Sequence, residues 1–444
     1  MKSNISVPRG TADILPPDIA NWQEIESKAR RIFNLFNFKE IRTPVFEEAA
    51  LFKRSLGQTS EVVNKQLLEL HGDQKEAFAL RPEGTASIVR SYIENSIDRK
   101  ENLSKWYYMG PMFRGERPQK GRLRQFHQIG AETIGPETSN PYLDAEMISL
   151  AVNLLKSFGL DDFKLKISTL GSQQDKDHFS KTLRGLLKSR LSDLAPVDQE
   201  RFERNVFRVL DSKEEKTCAV IRQLPIDYSY LSSESAQYYR AVKKALDRLK
   251  ITYEEDVTLV RGLDYYTHTV FEFAAAGLGS QDAVGAGGRY DHLMEQLGGP
   301  KVEAIGFALG IERILLARRD KINTVPLAPK VFMIMLEEKF FEEGFELLHR
   351  LREAGITSDM SYKVSSIKSQ MRSADKSGAP FVCLIGEEEI NKKHVTVKDM
   401  RTGEQEAISW DRVIQYIEDK TIKIESQPSA KIYGGADGGR KYIC

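Results

Sequence analysis

The chain has 444 residues, 41% of them hydrophobic and 29% charged, which is too long for one ordinary core and suggests two or three domains. Its 65 basic and 64 acidic residues leave a formal net charge of +1, so anion binding cannot come from a global field and must come from local clusters. Three scattered cysteines argue against a disulfide framework, and no C-x-x-C or H-E-x-x-H spacing points to protein-bound metal. No apolar run reaches the roughly 18 residues of a membrane span and the first residues lack a signal-peptide core, so a cytoplasmic protein is expected.

From Asp18 to Asn37, apolar Ile19, Trp22, Ile25, Ala29, Ile32, Phe33 and Phe36 recur at steps of three and four, which predicts an amphipathic helix. "FKEIRTP" then reads as a short strand, "LLELHGDQKEAFAL" as two strands around a polar turn, and "TASIVRSYIEN" as a helix capped by Thr85. "KWYYMGPMFRGE" and "RLRQFHQIGAE" read as antiparallel strands around "RPQKG". A second amphipathic helix is expected over Tyr142 to Phe158, with the strand "FKLKISTLG" after it.

Residues 173–256 are charged and helix-forming, and read as a helical insertion. Strand character resumes at "VTLVRGLDYYTHTVFEFAAAG", passes through the glycine-rich "AVGAGGRYDHLMEQLGG" and ends at "VEAIGFALGIERILLARR", a strand feeding a helix. Residues 323–328 fall in a proline-containing linker. Beyond it "VFMIML", a helix from Glu338 to Glu353, "ITSDM", a helix around Ser365 to Ser377, "FVCLIG" and "HVTVKDM" alternate as in an α/β domain over 329–425. The glycine-rich residues 426–444 read as a flexible tail.

The hairpin carries the chemistry. Alternate strand residues share a face, so Arg122, Arg124, Phe126, Gln128, Gly130 and Glu132 are expected on one side, with Arg114 and Glu116 beside Gly110 joining them from the partner strand. Such a row is no core: it reads as a floor with an anion-binding end, an aromatic plate and a carboxylate end. His127 falls on the other face and reads as structural. In "GAGGRYD", Gly285, Gly287 and Gly288 allow close approach of backbone, but the last glycine of G-x-G-x-x-G is missing and no G-x-x-x-x-G-K-[ST] occurs, which disfavours Rossmann and P-loop sites.

"FRGERPQKGRLRQF" resembles the second signature motif of class II aminoacyl-tRNA synthetases, and "IGFALGIERILL" resembles the third. "LRPEGT", "RGLDYYTHTVFEF" and "GAGGRYDHL" narrow the resemblance to the bacterial-type histidyl-tRNA synthetase family, and "FKEIRTPVFEEAALFKRS" resembles its first motif, which builds a homodimer interface. The resemblance implies an α+β catalytic domain over 1–172 and 257–322, an antiparallel sheet flanked by helices, interrupted by the insertion and followed by an α/β anticodon-binding domain. It implies ATP-dependent ligation of L-histidine to tRNA(His) through a histidyl-adenylate, releasing pyrophosphate and AMP, with Mg²⁺ carried on the ATP phosphates.

By the same resemblance Arg114 and Arg261 flank the α-phosphate as the catalytic pair, Phe126 and Arg313 sandwich adenine, and Arg122 and Glu116 serve the rest of the nucleotide. Glu83 in "RPEGT" pairs with the histidine ammonium, with Gly84, Thr85 and Gln128 beside it. Glu132 and Tyr266 are the expected partners of the imidazole nitrogens, with Tyr265 next to them, because a site built to hydrogen-bond rejects analogues that leave its own polar atoms unpaired. Arg117 and Gln119 face the tRNA acceptor end. Leu123 stands where the family commonly has an aromatic residue. The regulatory subunit of ATP phosphoribosyltransferase resembles the same catalytic domain, but the C-terminal domain together with Arg114, Arg261 and Arg313 favours the synthetase.

Overall fold

The computed structural model describes residues 5–57, 60, 62–70, 77–260, 263–278, 282–318 and 328–425, the side chains of 423–425 excepted. These fall into two compact units on either side of residues 319–327. Expectations for the interdomain linker and the tail lie outside the described residues, as does that for Arg261.

In the first unit α1 (Ile19–Leu35) buries Trp22, Ile25, Ala29 and Phe33, the stripe its period predicts. The strand expected from "FKEIRTP" shrinks to β1 (Lys39–Glu40). A small sheet of β2 (Phe46–Glu48), β3 (Glu69–Leu70) and β4 (Phe78–Leu80) surrounds the short α2 (Ala49–Ser55) in sequence. Next comes α3 (Thr85–Glu94), then the long hairpin β5 (Ser104–Phe113) and β6 (Gln125–Ile134). Helix α4 (Pro141–Ser157) and β7 (Phe163–Thr169) follow.

The segment read as an insertion is helical in its described structure: α5 (Gln173–Lys188), α6 (Pro196–Arg204), α7 (Phe207–Leu210), α8 (Glu215–Ile221) and α9 (Ser233–Arg248). After β8 (Glu254–Glu255) the chain returns to the sheet as β9 (Thr267–Ala275), β10 (Ala283–Arg289) and, past the one-turn α10 (Leu293–Gln296), β11 (Ala304–Gly310), which feeds α11 (Ile311–Ala317). The strand expected to resume at Val257 starts ten residues later at Thr267, and the described residues before it, 257–260 and 263–266, form turns and bends rather than a ladder.

Eight strands make one sheet in the order β1-β5-β6-β11-β10-β9-β7-β8, antiparallel throughout its centre and parallel only at the β1/β5 and β7/β8 edges. Its two faces are different materials. On one, Tyr107, Ile129, Ala131, Ile167, Phe271 and Ile305 pack beneath α1, α4 and α9. On the other, Tyr108, Met112, Ile134 and Val270 join α3, α10 and the helices α5 to α8. The segment 173–248 thus contributes to both cores of the unit, α9 to one and α5 to α8 to the other.

The second unit is a five-stranded sheet with three parallel strands, β12 (Val331–Met335), β13 (Ser358–Met360) and β14 (Phe381–Ile385), and two antiparallel ones, β15 (His394–Asp399) and β16 (Gln405–Ser409), ordered β13-β12-β14-β15-β16. Helices α12 (Phe341–Glu353), α13 (Ile367–Ser377), α14 (Glu387–Lys392) and α15 (Val413–Glu425) complete the mixed α/β layer. The helix expected from Glu338 opens with a 3₁₀ turn, Glu338–Phe340.

Candidate active site

The β5/β6 register sets Gly110 opposite Gln128, Tyr108 opposite Gly130 and Met112 opposite Phe126, so the even-numbered residues of both strands share the face away from α1 and α4. A pocket of about 260 Å³ opens on that face. Glu83, Thr85, Arg114, Glu116, Arg122, Phe126, Gln128, Tyr265, Tyr266 and Arg313, drawn from five separate stretches of sequence, all line it, as does Leu123.

Not every expectation holds. Strand β6 begins at Gln125, and before it the loop closes on itself through the paired backbones of Gln119 and Arg122. That turn breaks the alternation, so Arg122 reaches the pocket but Arg124 is exposed, its amide bound to the Gly10 carbonyl at 2.7 Å. Arg117 and Gln119 are exposed on the loop and do not line the pocket. His127 lies across the sheet, edge-on to Trp22, with both its backbone amide and Nδ1 3.0 Å from the Glu312 carboxylate.

One end of the site is built around two buried carboxyls. Glu83 accepts from the amides of Thr85 at 2.7 Å and Ala86 at 2.9 Å. It, rather than Thr85, satisfies the first turn of α3. Burial pushes the Glu83 carboxyl up, against the pull of those two amides and of Arg114. The Thr85 hydroxyl is thereby left to reach across to the sheet, where it donates to Glu132 Oε1 at 2.7 Å. Tyr290 donates to the other oxygen, Oε2, at 2.6 Å. Glu132 is 1% exposed, and burial, with the nearby charge of Glu83, pushes its carboxyl up to about 8 although both hydroxyls pull it down.

Sequence reasoning misses Tyr290, although a signal for it exists: in "GGRYD" it follows the glycine strand just past its end. The residue before it, Arg289, is 1% exposed and locked to Asp144 and Asp291, which fixes where the tyrosine points. The tyrosine rings of Tyr265 and Tyr266 stand 4.8 Å apart, and that of Tyr265 meets Tyr290 at 5.7 Å. Tyr108 Oη and Gln128 Oε1, both buried beside this end, have no hydrogen-bond partner among the described residues, and so hold polar capacity for a ligand.

Glycines make room for the carboxyl end. A Cβ on Gly306 would overlap the Glu132 carboxylate, and one on Gly84 would come within 2.5 Å of the Tyr108 ring. Neither position is left-handed; the demand is for space.

The other end is cationic and aromatic. Arg114 donates Nε to the Pro82 carbonyl at 3.0 Å and holds its guanidinium 5.1 Å from the Phe126 ring centroid. Arg122 pairs with Glu116 at 3.1 Å, and Arg313 is fixed by the carbonyls of Ala283 at 2.5 Å and Gly121 at 3.3 Å. Arg114, Arg122 and Arg313 therefore line the same pocket as the Phe126 ring and the buried Glu83.

A family profile described as Histidyl-tRNA synthetase matches residues 10–314, and one described as Anticodon binding domain matches residues 326–420. The chain belongs to the histidyl-tRNA synthetase family. Curated histidine–tRNA ligases share its length as well as its sequence: that of Halothermothrix orenii is 43% identical over 93% of this chain and 98% of its own, and that of a Geobacillus species 41% identical over 93% and 99%. Among solved structures, apo histidyl-tRNA synthetase from S. aureus superposes with a TM-score of 0.77 at 37% identity, covering 93% of this chain and all of that one. The antiparallel sheet with its flanking helices is the class II synthetase fold, and the mixed-sheet second unit is this family's anticodon-binding domain.

Proposed function

We propose that the pocket activates L-histidine with ATP and that the chain then ligates it to tRNA(His). The observation that carries this reading is the buried carboxyl of Glu132, held on one oxygen by Thr85 and on the other by Tyr290, two residues that themselves line the pocket together with Arg114, Arg122 and Arg313. The carboxyl keeps a lone pair for an imidazole N–H. Tyr266 partners the second ring nitrogen with Tyr265 beside it, while Glu83, at the N-terminus of α3 next to Gly84, receives the ammonium together with Thr85 and Gln128.

ATP lies toward Phe126, its adenine between that ring and Arg313. Arg114 serves the α-phosphate, with Arg261 opposite by family resemblance. Arg122 takes the outer phosphates, Glu116 lies on the nucleotide side as the carboxylate paired with Arg122, and Mg²⁺ arrives as part of the MgATP substrate. The histidine carboxylate attacks the α-phosphorus, the α–β bridging bond breaks and pyrophosphate leaves; the terminal ribose hydroxyl of tRNA then takes the histidyl group and AMP leaves. A carboxylate is already a nucleophile, so the protein supplies alignment and charge stabilisation rather than a base.

Residues 1–172 and 257–322 make the catalytic part, 173–256 the inserted helices, and 329–425 the domain that reads the anticodon. Arg117 and Gln119, exposed on the hairpin loop, are placed for the acceptor end. A homodimer through the first motif is favoured by apolar side chains left exposed in the small sheet, Phe46 at 51% and Leu70 at 40%. No helix among the described residues is long and apolar enough to cross a membrane, which accords with work in the cytoplasm. The deciding experiment is histidine-dependent exchange of pyrophosphate into ATP. Robust exchange is expected; histidine binding without exchange would instead place the chain with the regulatory relatives.

A further inference from the structure

Two of the pocket's tyrosines, Tyr265 and Tyr266, are not carried by the sheet. Because β9 begins at Thr267, Tyr265 and Tyr266 sit on the turn before it, where no ladder holds the backbone. A lysine ammonium reaches the backbone of this turn at two points. Lys176 Nζ donates to the Asp264 carbonyl at 2.8 Å and to the Tyr266 carbonyl at 2.9 Å. The Asp264 side chain is gripped from the same helical segment, its Oδ1 accepting from Asn205 at 3.0 Å and Arg208 at 2.9 Å.

Lys176 lies in the first turn of α5, which is set by a reciprocal cap between Ser172 and Asp175. Burial pushes its ammonium down, with Asp264 opposing. Withdrawing a strongly hydrated cation from water to meet main-chain oxygens is costly, and a lysine free to stay on the helix surface would not gain by it. The nucleotide side has different anchors: Arg114 is held by Pro82 and Arg313 by Ala283 and Gly121.

We propose that Lys176 is a positioning residue for the amino-acid side of the pocket: it fixes the turn that presents Tyr265 and Tyr266, and so ties histidine affinity, and not nucleotide affinity, to the packing of α5 to α7. This rests on reading the pocket as the histidine site. It also gives the helical segment a role in specificity that its distance in sequence from the tyrosines hides.

The test is Lys176→Met in the full chain, with pyrophosphate exchange and hydrogen–deuterium exchange read side by side. KM for histidine should rise about 10- to 100-fold with KM for ATP within about threefold, since Arg114, Phe126 and Arg313 keep their own anchors on the nucleotide side. Amides of residues 263–270 should exchange faster than in the wild type with no substrate present. An unchanged KM for histidine overturns the proposal, and so does a parallel rise in both KM values with a lowered Tm, which would mean general loosening. If Lys176→Met does not fold, Asn205→Ala removes one arm of the Asp264 grip and should show the same split at smaller size; no split overturns the idea. A wild type without histidine-dependent exchange would refute the functional reading instead, and the amide exchange would still decide whether Lys176 holds the turn.

Discussion

Tyr290 Oη donates to Glu132 Oε2 at 2.6 Å, so a hydroxyl from the end of the glycine strand β10 sets the orientation of a carboxyl on β6 two strands away. Tyr290→Phe removes one donor from a fully buried acid and leaves the ring in place. A lost hydrogen bond to such a group is worth about 1.5–3 kcal/mol, so KM for histidine should rise roughly 10- to 100-fold. Steady-state exchange kinetics at several histidine concentrations would show it, and an unchanged KM would remove Tyr290 from the site.

The same carboxyl makes stability depend on pH in a stated direction. Burial raises Glu132 to about 8 in the folded chain, against an ordinary 4.5. Its contribution is therefore fully present below about 4.5 and is lost as pH rises through about 8, because over that window the unfolded chain ionises while the folded one holds its proton. Glu132→Gln cannot ionise. Thermal melts of the variant and the wild type should converge or cross in favour of the variant between pH 5 and pH 8.5, although the variant should have lost histidine activation. A constant offset in Tm across that range would contradict the protonated state.

Arg114 combines a carbonyl anchor, at Pro82, with a face turned to Phe126. Removing a preorganised donor from a developing phosphorane typically lowers the rate by about 10²–10³, and Arg114→Ala should fall in that range for adenylate formation with little change in histidine binding. Arg114→Lys should recover little, since an ammonium has neither the planar fork nor the stacking face. Rapid-quench measurement of adenylate in a single turnover separates this from any effect on product release.

Asp175 ties two helices together. Its Oδ2 accepts from the Ser172 amide at 2.9 Å and the Ser235 hydroxyl at 2.5 Å, and its Oδ1 accepts from the Ser232 amide at 2.7 Å. It therefore caps both α5 and α9. Burial works against its charge, but the Ser235 hydroxyl and the two amides win and hold the carboxyl below its ordinary value. The stability it adds is present above about 3.8 and lost as pH falls through the lower folded value. Asp175→Ala should cost about 1–3 kcal/mol in urea unfolding at pH 7, two caps' worth. Less than about 0.5 kcal/mol would show that water replaces it.

Period is the legible part of the fold. The helix stripes of α1 and α4 can be read because one face of each is buried, and the alternation in β6 from Phe126 to Glu132 because its two faces carry different chemistry, polar on one and apolar on the other. Legibility ends where a local rule meets a long-range partner. Thr85 looks like a cap, but Glu83 reaches the amides first and Thr85 turns to Glu132, a choice that depends on a strand 47 residues on. Arg124 falls out of the row because the Gln119/Arg122 pairing ends the strand's alternation. Lys176 looks like one more charge on a solvated helix, since nothing near it in sequence announces the carbonyls of Asp264 and Tyr266. The edge strand β16 is hidden because its residues are mostly exposed and carry little apolar pattern.

The division of β6 into a reacting side and a packing side has a practical corollary for anyone who edits this strand. Inserting or deleting a single residue directly after Phe126, with the strand before it held in register, would send Gln128 and Glu132 beneath α4 and turn Ile129 and Ala131 toward the pocket. A clone that still charges its amino acid has, by that fact alone, kept its hydrophobic interior in register.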